Sequence, residues 1–419
     1  METINQVHRQ REVESDTGGM TTQDLSFICF STAHWDAELW TNRQRIMDLR
    51  SRGHGVLFVD PGLHSKKYFR RILTQNPKRL LPTHWLRREK ENLWIYSPQL
   101  FPLYRLSPLI QRLAWKFVTI QVRRLCRQHE FSHPGLWLYS PEAIEVLGKL
   151  DESLSLYDCV DNYAATPYYA RSIGRTRRFQ TLELELLRRV DVVATTSKTL
   201  WEEKQAFNPN TFLIPNVGDA EHFRKASLPE TDVADDIAHI PHPLIGFVGA
   251  INEHKVDFEL LSRIALAQPD WHIVLIGPIG GWGSKTDVSS LQALPNIHLL
   301  GPRPYQVLPN YIKAFDVCVI PYVINEYTKD VFPLKFFEFL ASGKPIVTTA
   351  LPSLICYHHI VRVAHTHEEF VQCLKLNLRD TETDAEERMA IASQHTWSHR
   401  ADQLLLSVQN TLAQNSNRK

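Results

Sequence analysis

The chain carries at residues 25–61 the stretch LSFICFSTAHWDAELWTNRQRIMDLRSRGHGVLFVDP, which decides the fold expected for its first half. Short apolar runs at 25–31 and 55–61 flank a polar, helix-like segment at 41–53. Continuously apolar runs are typical of strands buried on both faces of a parallel sheet. Gly53 suits the position just past the end of a helix. The stretch therefore predicts a strand, a helix and a parallel strand.

The same alternation recurs along the rest of the chain. Further strands are predicted at 136–141, 154–161, 191–197, 244–250, 272–278, 297–302, 317–322 and 345–349. Repeated strand and helix units indicate an α/β protein with two Rossmann-like, doubly wound parallel-sheet domains that face a cleft. Ligands are expected at the carboxyl ends of the strands.

A polar, Asp-rich segment between the two halves sets the predicted domain boundaries. We expect a disordered tail at 1–20, an N-terminal domain at 21–225, a linker at 226–243, a C-terminal domain at 244–392, and a C-terminal helix and tail at 393–419. The polar, Asp-rich and Pro-containing stretch at 227–243 and the restart of the strand pattern at Leu244 support this division.

Composition excludes several protein classes. The 419 residues are 43% hydrophobic and 22% charged, which fits an ordinary globular protein rather than a fibrous or disordered one. No apolar run approaches the roughly 20 residues of a membrane-spanning helix. The first twenty residues lack the apolar core of a secretory signal. Six scattered cysteines without a C-x-x-C pair argue against disulfides and zinc, and we expect a cytoplasmic protein.

The segment at 330–345, DVFPLKFFEFLASGKP, predicts a short helix with a ligand-binding N-terminus. Pro333 suits the first turn, and Gly343 and Pro345 suit its end. Free backbone N–H groups and the helix dipole would bind a diphosphate, and Lys335 adds a full positive charge. The carboxylates of Asp330 and Glu338 can accept hydrogen bonds from a vicinal diol such as a ribose.

These residues resemble the nucleotide-sugar-dependent glycosyltransferases with two Rossmann-like domains (the GT-B type), specifically the group 1 retaining transferases. The resemblance also covers TSKTLWEEK, IPNVGDAEHF, FVGAINEHK, PDWHIVLIGP and IHLLGPRPYQVLPNYIKAFDVCVIPY, and so spans most of the chain. Within the family it is most similar to the branch that builds bacterial surface polysaccharides, including teichuronic-acid-type enzymes. It implies a C-terminal helix that returns toward the N-terminal domain.

The resemblance implies a donor site in the C-terminal domain. Glu338 would bind the ribose, the Gly249 loop and the helix beginning near Pro333 would hold the diphosphate, and Arg303 would lie near the base. The donor-binding residues expected on this basis are Gly249, Lys255, Arg303, Asp330, Pro333, Leu334, Lys335 and Glu338.

The chain also departs from the family pattern. The first acid of the pair is Asp330 instead of glutamate, and Ala250 replaces the usual arginine. Diphosphate stabilisation would then depend on Lys255, Lys335 and backbone dipoles.

The acceptor side departs further. Group 1 enzymes usually place a histidine after an N-domain strand, whereas this chain has LYDCVDNY at 156–163. Asp158 or Asp161 would take its place, and we prefer Asp161 because it is nearer the strand end. His34 and Trp35, after the first strand, could contact the acceptor. The catalytic group expected on this basis is Asp161, Asp158 and Glu338.

The expected function is transfer of a sugar from a nucleotide diphosphate sugar to a glycan or lipid-linked acceptor in polysaccharide biosynthesis, with the anomeric configuration retained. No cofactor or metal is expected, since the chain has neither a D-x-D motif nor clustered histidines. Ala250 and the missing histidine leave open an inactive sugar-nucleotide-binding protein. A nucleotide-sugar epimerase is a further alternative.

Charge is strongly segregated along the chain, although the net charge is only +1. Residues 65–127 contain fifteen Lys and Arg against two Glu, interleaved with aromatic residues. This mixture suits a lipid headgroup region, so an anionic membrane surface is an expected partner, with peripheral binding to the inner face of the cell membrane. No nucleic-acid-binding motif accompanies the charge, and we expect no nucleic-acid partner.

Overall fold

The computed structural model describes residues 25–37, 39–62, 85–98, 107–281, 286–379 and 384–416, together with Thr74. The predicted disordered tail at 1–20 lies outside these residues. The described chain forms two α/β units, each built on its own sheet.

The N-terminal unit contains a sheet of eight strands in the order β3-β4-β2-β1-β5-β6-β7-β8. The strands are β1 Phe27–Phe30, β2 Val56–Val59, β3 Leu86–Lys90, β4 Leu93–Tyr96, β5 Gly135–Leu138, β6 Leu154–Cys159, β7 Val192–Thr195 and β8 Thr211–Leu213. All neighbours are parallel except β3, which runs antiparallel to β4 at the sheet edge. Strands β1, β2, β5, β6 and β7 are buried at every position, as expected for a parallel sheet covered on both faces.

The C-terminal unit contains a parallel sheet of six strands in the order β11-β10-β9-β12-β13-β14. The strands are β9 Leu244–Val248, β10 His272–Ile276, β11 Ile297–Gly301, β12 Val317–Ile320, β13 Ile346–Thr349 and β14 Arg362–Ala364. The order reverses at β9, where β10 and β12 flank it on opposite sides. Such a point in an open parallel sheet creates a crevice for ligands.

Helices connect and cover the strands. In the described residues they are α1 Asn42–Arg50, α2 Pro108–Gln128, α3 Pro167–Ala170, α4 Ile173–Arg189, α5 Lys198–Lys204, α6 Ala220–Arg224, α7 Phe258–Ala267, α8 Ser289–Gln292, α9 Leu308–Ala314, α10 Leu334–Ala341, α11 His367–Arg379, α12 Ala385–Gln394 and α13 Trp397–Ser416. Among the described helices, not one has the length and apolar character needed to cross a bilayer.

The C-terminal helix α13 returns to the N-terminal unit, where it contacts α1, β6 and β7. Its Arg400 is fully buried and donates to the Asp158 carboxylate at 2.9 Å. The same guanidinium donates to the carbonyls of Ile214 and Pro215 in the crossover between the two units. Two parallel-sheet domains with a returning C-terminal helix confirm the predicted fold class, whereas the individual domain boundaries stay predictions.

Candidate active site

A cavity of about 660 Å³ lies between the two sheets, at the carboxyl ends of their strands. Its N-terminal wall includes residues that follow β1, β2 and β6, and its C-terminal wall includes residues that follow β9 and β12. Of the predicted site residues, those that line it are Asp161, Lys255, Pro333, Leu334 and Lys335. The cleft expected from the sequence therefore contains residues from both domains.

Two lysines converge on Tyr322 at the C-terminal wall. The Lys335 Nζ donates to the Tyr322 hydroxyl at 2.6 Å, and the Lys255 Nζ lies 5.0 Å from the centroid of the same ring. Burial lowers the pKa of Lys335 to about 8, and the nearby Glu338 opposes that shift. This wall therefore brings two ammonium groups to one edge of the cavity, where an anionic ligand would be attracted.

Gly249 allows the close approach of Lys335 to the β9 loop. Its φ of 152° lies in a region that favours glycine. A Cβ at this position would lie 2.8 Å from the Lys335 Nζ, closer than ordinary van der Waals contact. The backbone conformation therefore favours glycine here, and a side chain at this position would displace the Lys335 ammonium.

Helix α10 presents its N-terminus to the cavity. Pro333 occupies the N-cap position, and its side chain forms no capping hydrogen bond. Pro333, Leu334 and Lys335 all line the cavity. Because the first N–H groups of a helix lack partners within the helix and lie at the positive end of its dipole, this end can bind a phosphate group.

Glu338 lies one turn further along α10, on the same face as Lys335, but it does not line the cavity. Within the described part of the chain, its carboxylate forms no hydrogen bond or ion pair, although Asp219 and Arg45 are close enough to affect its pKa. Burial raises the pKa of Glu338 to about 7, and Lys335 opposes this shift. A half-buried carboxylate with unused acceptor capacity can accept hydrogen bonds from a diol.

Asp330, the first acid of the predicted pair, contacts the opposite domain. It is 3% exposed, and its Oδ2 accepts a hydrogen bond from the Asn162 side chain at 2.8 Å. Asp330 is absent from the cavity lining in this structure. Its carboxylate therefore joins the donor-side loop to the loop after β6.

Asp161 lines the cavity directly after β6. The Tyr327 hydroxyl donates to its Oδ1 at 3.4 Å. Burial raises the pKa of Asp161, whereas the positive charges of Lys255 and Arg43 oppose the shift. Asp161 is thus a carboxylate of the N-terminal domain that interacts with Lys255 of the C-terminal domain and with Arg43 of its own domain.

Asp158 occupies a structural position instead. Its carboxylate is fully buried in the ion pair with Arg400 and does not line the cavity. Side chains alternate along a strand, so Asp158 within β6 points to the face that α13 covers, whereas Asp161 lies in the loop beyond the strand end. Of the two acids considered from the sequence, the geometry favours Asp161 for chemistry.

The predicted acceptor residues His34 and Trp35 lie behind the cavity wall. Trp35 is 2% exposed, packs against Trp40 and Phe58, and donates its backbone N–H to Asp60. Neither His34 nor Trp35 lines the cavity. The loop turns after β1, so the positions that reach the cavity are Ser31, Thr32 and Ala33.

Arg303 is also directed away from the cavity. Its guanidinium donates to Asp236 at 2.5 Å and to the Tyr311 hydroxyl at 2.7 Å. These contacts join the segment after the crossover to helix α9. Arg303 does not line the cavity, and its expected place near the nucleotide base stays a prediction.

Several cavity residues were not singled out from the sequence, among them Arg43, Tyr163, Tyr322 and Tyr327. Tyr322 closely follows β12, and Tyr163 belongs to the LYDCVDNY stretch. Both could have been predicted as site residues because they follow strand ends. Arg43 comes from the first turn of α1 and reaches the cavity only through tertiary packing.

Comparisons with known proteins agree with this geometry. Residues 242–379 match the family model described as glycosyl transferases group 1. The chain is 31% identical over 315 residues to the putative teichuronic acid biosynthesis glycosyltransferase TuaH of Bacillus subtilis (strain 168), which covers 71% of this chain and 75% of that protein.

Solved structures share the whole fold at low identity. Sucrose-phosphate synthase from Thermosynechococcus elongatus superposes with a TM-score of 0.69 at 16% identity, covering 93% of this chain and 99% of that one. HepE from Anabaena, solved in complex with UDP, gives a TM-score of 0.62 at 17% identity, covering 92% and 100%. With its two parallel-sheet domains and its similarity to TuaH, the chain belongs to the group 1 glycosyltransferases and has the GT-B fold.

Proposed function

We propose that this glycosyltransferase moves a sugar from a nucleotide diphosphate sugar to a glycan or lipid-linked acceptor in polysaccharide biosynthesis, with retention of the anomeric configuration. The observation that carries the proposal is the grouping of Lys255, Lys335 and the α10 N-terminus at one edge of the interdomain cavity. HepE, which shares the fold, was solved with UDP.

In this proposal the C-terminal wall stabilises the leaving nucleotide diphosphate. Lys255, Lys335 and the N–H groups at the start of α10 neutralise the charge that develops on the phosphate oxygen as the glycosidic bond breaks. Glu338 accepts hydrogen bonds from the ribose. These groups supply the positive charge without a metal ion.

Asp161 has the matching role on the acceptor side. Its carboxylate would stabilise the positive charge that develops at the anomeric carbon, and it could accept the proton of the acceptor hydroxyl. The raised pKa that burial gives Asp161 suits a proton acceptor.

The alternative of an inactive binding protein arose from Ala250 in place of an arginine and from the missing histidine. The Lys335 ammonium lies against Gly249, immediately before that position, so a second cation is present beside Lys255. This arrangement compensates for the missing arginine, so Ala250 alone does not argue against transfer. Neither the described site nor the comparisons offer a specific observation in favour of an epimerase.

The donor site is tested with a panel of UDP, GDP, ADP and dTDP sugars. At 100 times its dissociation constant, the correct donor is expected to stabilise the fold by about 2.7 kcal/mol and to raise the melting temperature. Glu338→Ala should weaken donor binding tenfold or more, because a charge-assisted hydrogen bond contributes about 1.5–3 kcal/mol.

The control for that experiment is Glu386→Ala, which removes an exposed glutamate from the first turn of α12. Its donor affinity should match the wild type. No thermal shift with any donor would contradict the proposed donor site. Unchanged affinity in Glu338→Ala would assign Glu338 to helix stabilisation alone.

Donor affinity should depend on pH in both directions. Glu338, with its pKa raised to about 7, carries its acceptor charge above that pH, and Lys335, with its pKa lowered to about 8, carries its positive charge below that pH. Binding should therefore be tightest between pH 7 and 8 and weaken on either side. The measurement is a calorimetric titration with the intact nucleotide sugar, whose diphosphate ester keeps its charge from pH 6 to 9.

Lys335→Arg provides the control for the alkaline side. Because a guanidinium stays protonated across this range, the weakening above pH 8 should disappear in that variant. A wild-type profile that is flat from pH 6 to 9 would show that neither group contacts the donor.

We further propose that the acceptor-side domain binds an anionic membrane surface through α2. The predicted basic stretch lies partly outside the described residues, at 65–73, 75–84 and 99–106. Of its described aromatic residues, Trp85, Trp94, Tyr96 and Trp115 pack against the core, whereas Phe117 is exposed. The exposed apolar side chains of α2 are Leu109, Ile110, Leu113, Phe117 and Ile120.

Charge complementarity supports an anionic lipid surface as the occupant of this face. The exposed basic residues of α2 are Arg112, Lys116, Arg123, Arg124 and Arg127. Leu109 and Leu113 are 70% and 66% exposed, so the helix offers apolar side chains beside positive ones. Trp115 and Val118, on the opposite side of α2, line the cavity. Membrane binding would therefore place a lipid-linked acceptor next to the site.

Liposome flotation tests this surface. We expect binding to vesicles that contain anionic lipid and weaker binding at high salt, because each basic residue near such a surface contributes about 1 kcal/mol. The Leu109→Ser, Leu113→Ser double variant should bind more weakly, because it removes apolar side chains that would enter the headgroup region. Leu266→Ser, which replaces a 67% exposed leucine of α7 in the other domain, is the control. Binding that ignores lipid charge and salt, or absent binding, would leave a soluble glycan as the acceptor.

A further inference from the structure

Arg43 is a buried cation in the acceptor-side wall of the cavity. It lies in the first turn of α1, is 8% exposed and lines the cavity. Its Nε donates to the Thr32 hydroxyl at 2.6 Å, and its Nη1 donates to the Thr41 hydroxyl at 3.1 Å. Its Nη2 donates to the Tyr163 hydroxyl. All three partners are electrically neutral.

The described structure provides no ion-pair partner for this charge. Among the described residues, none of the carboxylates comes within 4 Å of the Arg43 guanidinium, although Asp60, Glu142 and Asp161 line the same cavity. The Asp60 carboxylate is already used by the Trp35 backbone N–H and the Ser97 hydroxyl. Asp161 interacts electrostatically with Lys255 as well as with Arg43.

The three other buried arginines among the described residues show how this chain normally compensates such a charge, and one of them, Arg50, pairs with Asp402 at 2.9 Å. Arg400 pairs with Asp158 at 2.9 Å. Arg388 donates twice to the Gly343 carbonyl, at the negative end of the α10 dipole. A buried charge without a counter-charge is unfavourable, and the cost falls when a ligand brings the opposite charge. Arg43 differs from them because its guanidinium contacts no carboxylate among the described residues, although Asp161 and Asp158 interact with it electrostatically. A ligand in the cavity could supply that direct contact.

The chemistry of the Arg43 side chain indicates which ligand group would fit. A guanidinium has five N–H groups, and the three hydrogen bonds above leave one on each terminal nitrogen. Two such donors in a planar fork match the two oxygens of a carboxylate or a phosphate. The Thr41 hydroxyl accepts from Arg43 and donates to the Gln44 side-chain oxygen at 3.4 Å, so it holds the guanidinium in place.

We infer that Arg43 binds an oxyanion carried by the acceptor, either the carboxylate of a uronic acid or a phosphate ester. The inference rests on the proposed function, in which Lys255 and Lys335 already hold the donor diphosphate at the opposite wall. Arg43, Thr32, Thr41 and Tyr163 all belong to the acceptor-side domain. Arg43 would thus select charged acceptors over neutral ones.

Three sugar probes test the inference: methyl β-D-glucuronide, glucose 6-phosphate and the neutral methyl β-D-glucoside. Their dissociation constants are measured by ligand-observed NMR, with and without a saturating nucleotide diphosphate. In the wild type, at least one charged probe should bind tenfold or more tightly than the neutral one. A preference for the glucuronide assigns a carboxylate, and a preference for the sugar phosphate assigns a phosphate ester.

In Arg43→Gln, the affinity for the charged probes should exceed that for the neutral probe by less than twofold. Arg43→Lys should retain part of the wild-type difference. Arg52→Gln, which changes an exposed arginine just after α1, should behave as the wild type. Melting temperatures check that each variant is folded. If Arg43 acted only by holding Asp161, affinities for charged and neutral probes would fall together, which would overturn the inference.

Equal affinity of the wild type for charged and neutral probes, or a preference that survives in Arg43→Gln, would also overturn it. Nucleotide binding is read separately in the same titrations. If the wild type does not bind the nucleotide, the proposed donor site is contradicted. If it binds the nucleotide but does not prefer the charged probes, only the role of Arg43 is contradicted.

Discussion

Replacing Asp161 by asparagine is expected to lower kcat by a factor of about 10²–10⁴ while donor affinity stays within twofold of the wild type. The change keeps the size of the side chain and its contact with Tyr327 but removes the negative charge that faces Lys255 and Arg43. Initial rates of sugar transfer and calorimetric donor titrations provide the two measurements.

The result discriminates between a reacting and a structural acid. Asp235→Asn is the matched control, because Asp235 is exposed and belongs to the segment of chain that connects β8 to β9. It should change neither kcat nor donor affinity. If Asp161→Asn instead lost donor affinity and melting temperature together, the carboxylate would be holding the loop after β6 rather than taking part in transfer. Wild-type turnover in that variant would remove Asp161 from the mechanism.

The fold could be predicted from the sequence because most strands lie in the middle of parallel sheets. Such strands are continuously apolar, as in VLFV of β2 and VCVI of β12, and they stand out against the polar helices. The hairpin of β3 and β4 was not predicted. Its outer strand, LRREK, is largely exposed. Charged residues at this sheet edge replace the alternation of apolar and polar residues that would predict a strand.

The donor half of the site was more predictable than the acceptor half for a physical reason. The local sequence fixes the relative positions of these residues, because Leu334, Lys335 and Glu338 lie in one short helix and Pro333 is its N-cap. The acceptor half is assembled from separate segments. Arg43 reaches the cavity from α1, and the turn after β1 directs Trp35 into the core. The spacing of these residues along the chain does not predict that they meet in the folded structure.

The two halves are also joined by hydrogen bonds that cross the cleft. Asn162 donates to Asp330, and Tyr327 donates to Asp161, so the donor-side loop holds both residues of the loop after β6. The Asn216 side chain of the crossover donates to the Phe332 carbonyl at 2.7 Å, just before α10. The position of the Asp161 carboxylate therefore depends on the relative position of the two domains. Asp330, although shorter than the usual glutamate, is suited to this contact.

Removal of the Asp158 carboxylate should have the largest effect on stability. Asp158 and Arg400 are both 0% exposed and lie 2.9 Å apart, so Asp158→Ala would leave a guanidinium buried without its counter-charge. Breaking a buried pair in this way typically costs about 3–5 kcal/mol. We expect a melting temperature lower by several degrees and a reduced urea midpoint. Turnover per folded molecule, measured at low temperature, should be unchanged.

A second ion pair between α13 and the N-terminal domain provides the control. Arg50 and Asp402 are also 2.9 Å apart, but the Asp402 side chain is 67% exposed, and solvent screens such pairs to about 0–1 kcal/mol. Asp402→Ala should therefore leave the melting temperature nearly unchanged. The double variant Asp158→Leu, Arg400→Met should recover much of the lost stability, since apolar side chains can replace a buried pair. Normal stability with lost turnover in Asp158→Ala would instead return Asp158 to the catalytic group.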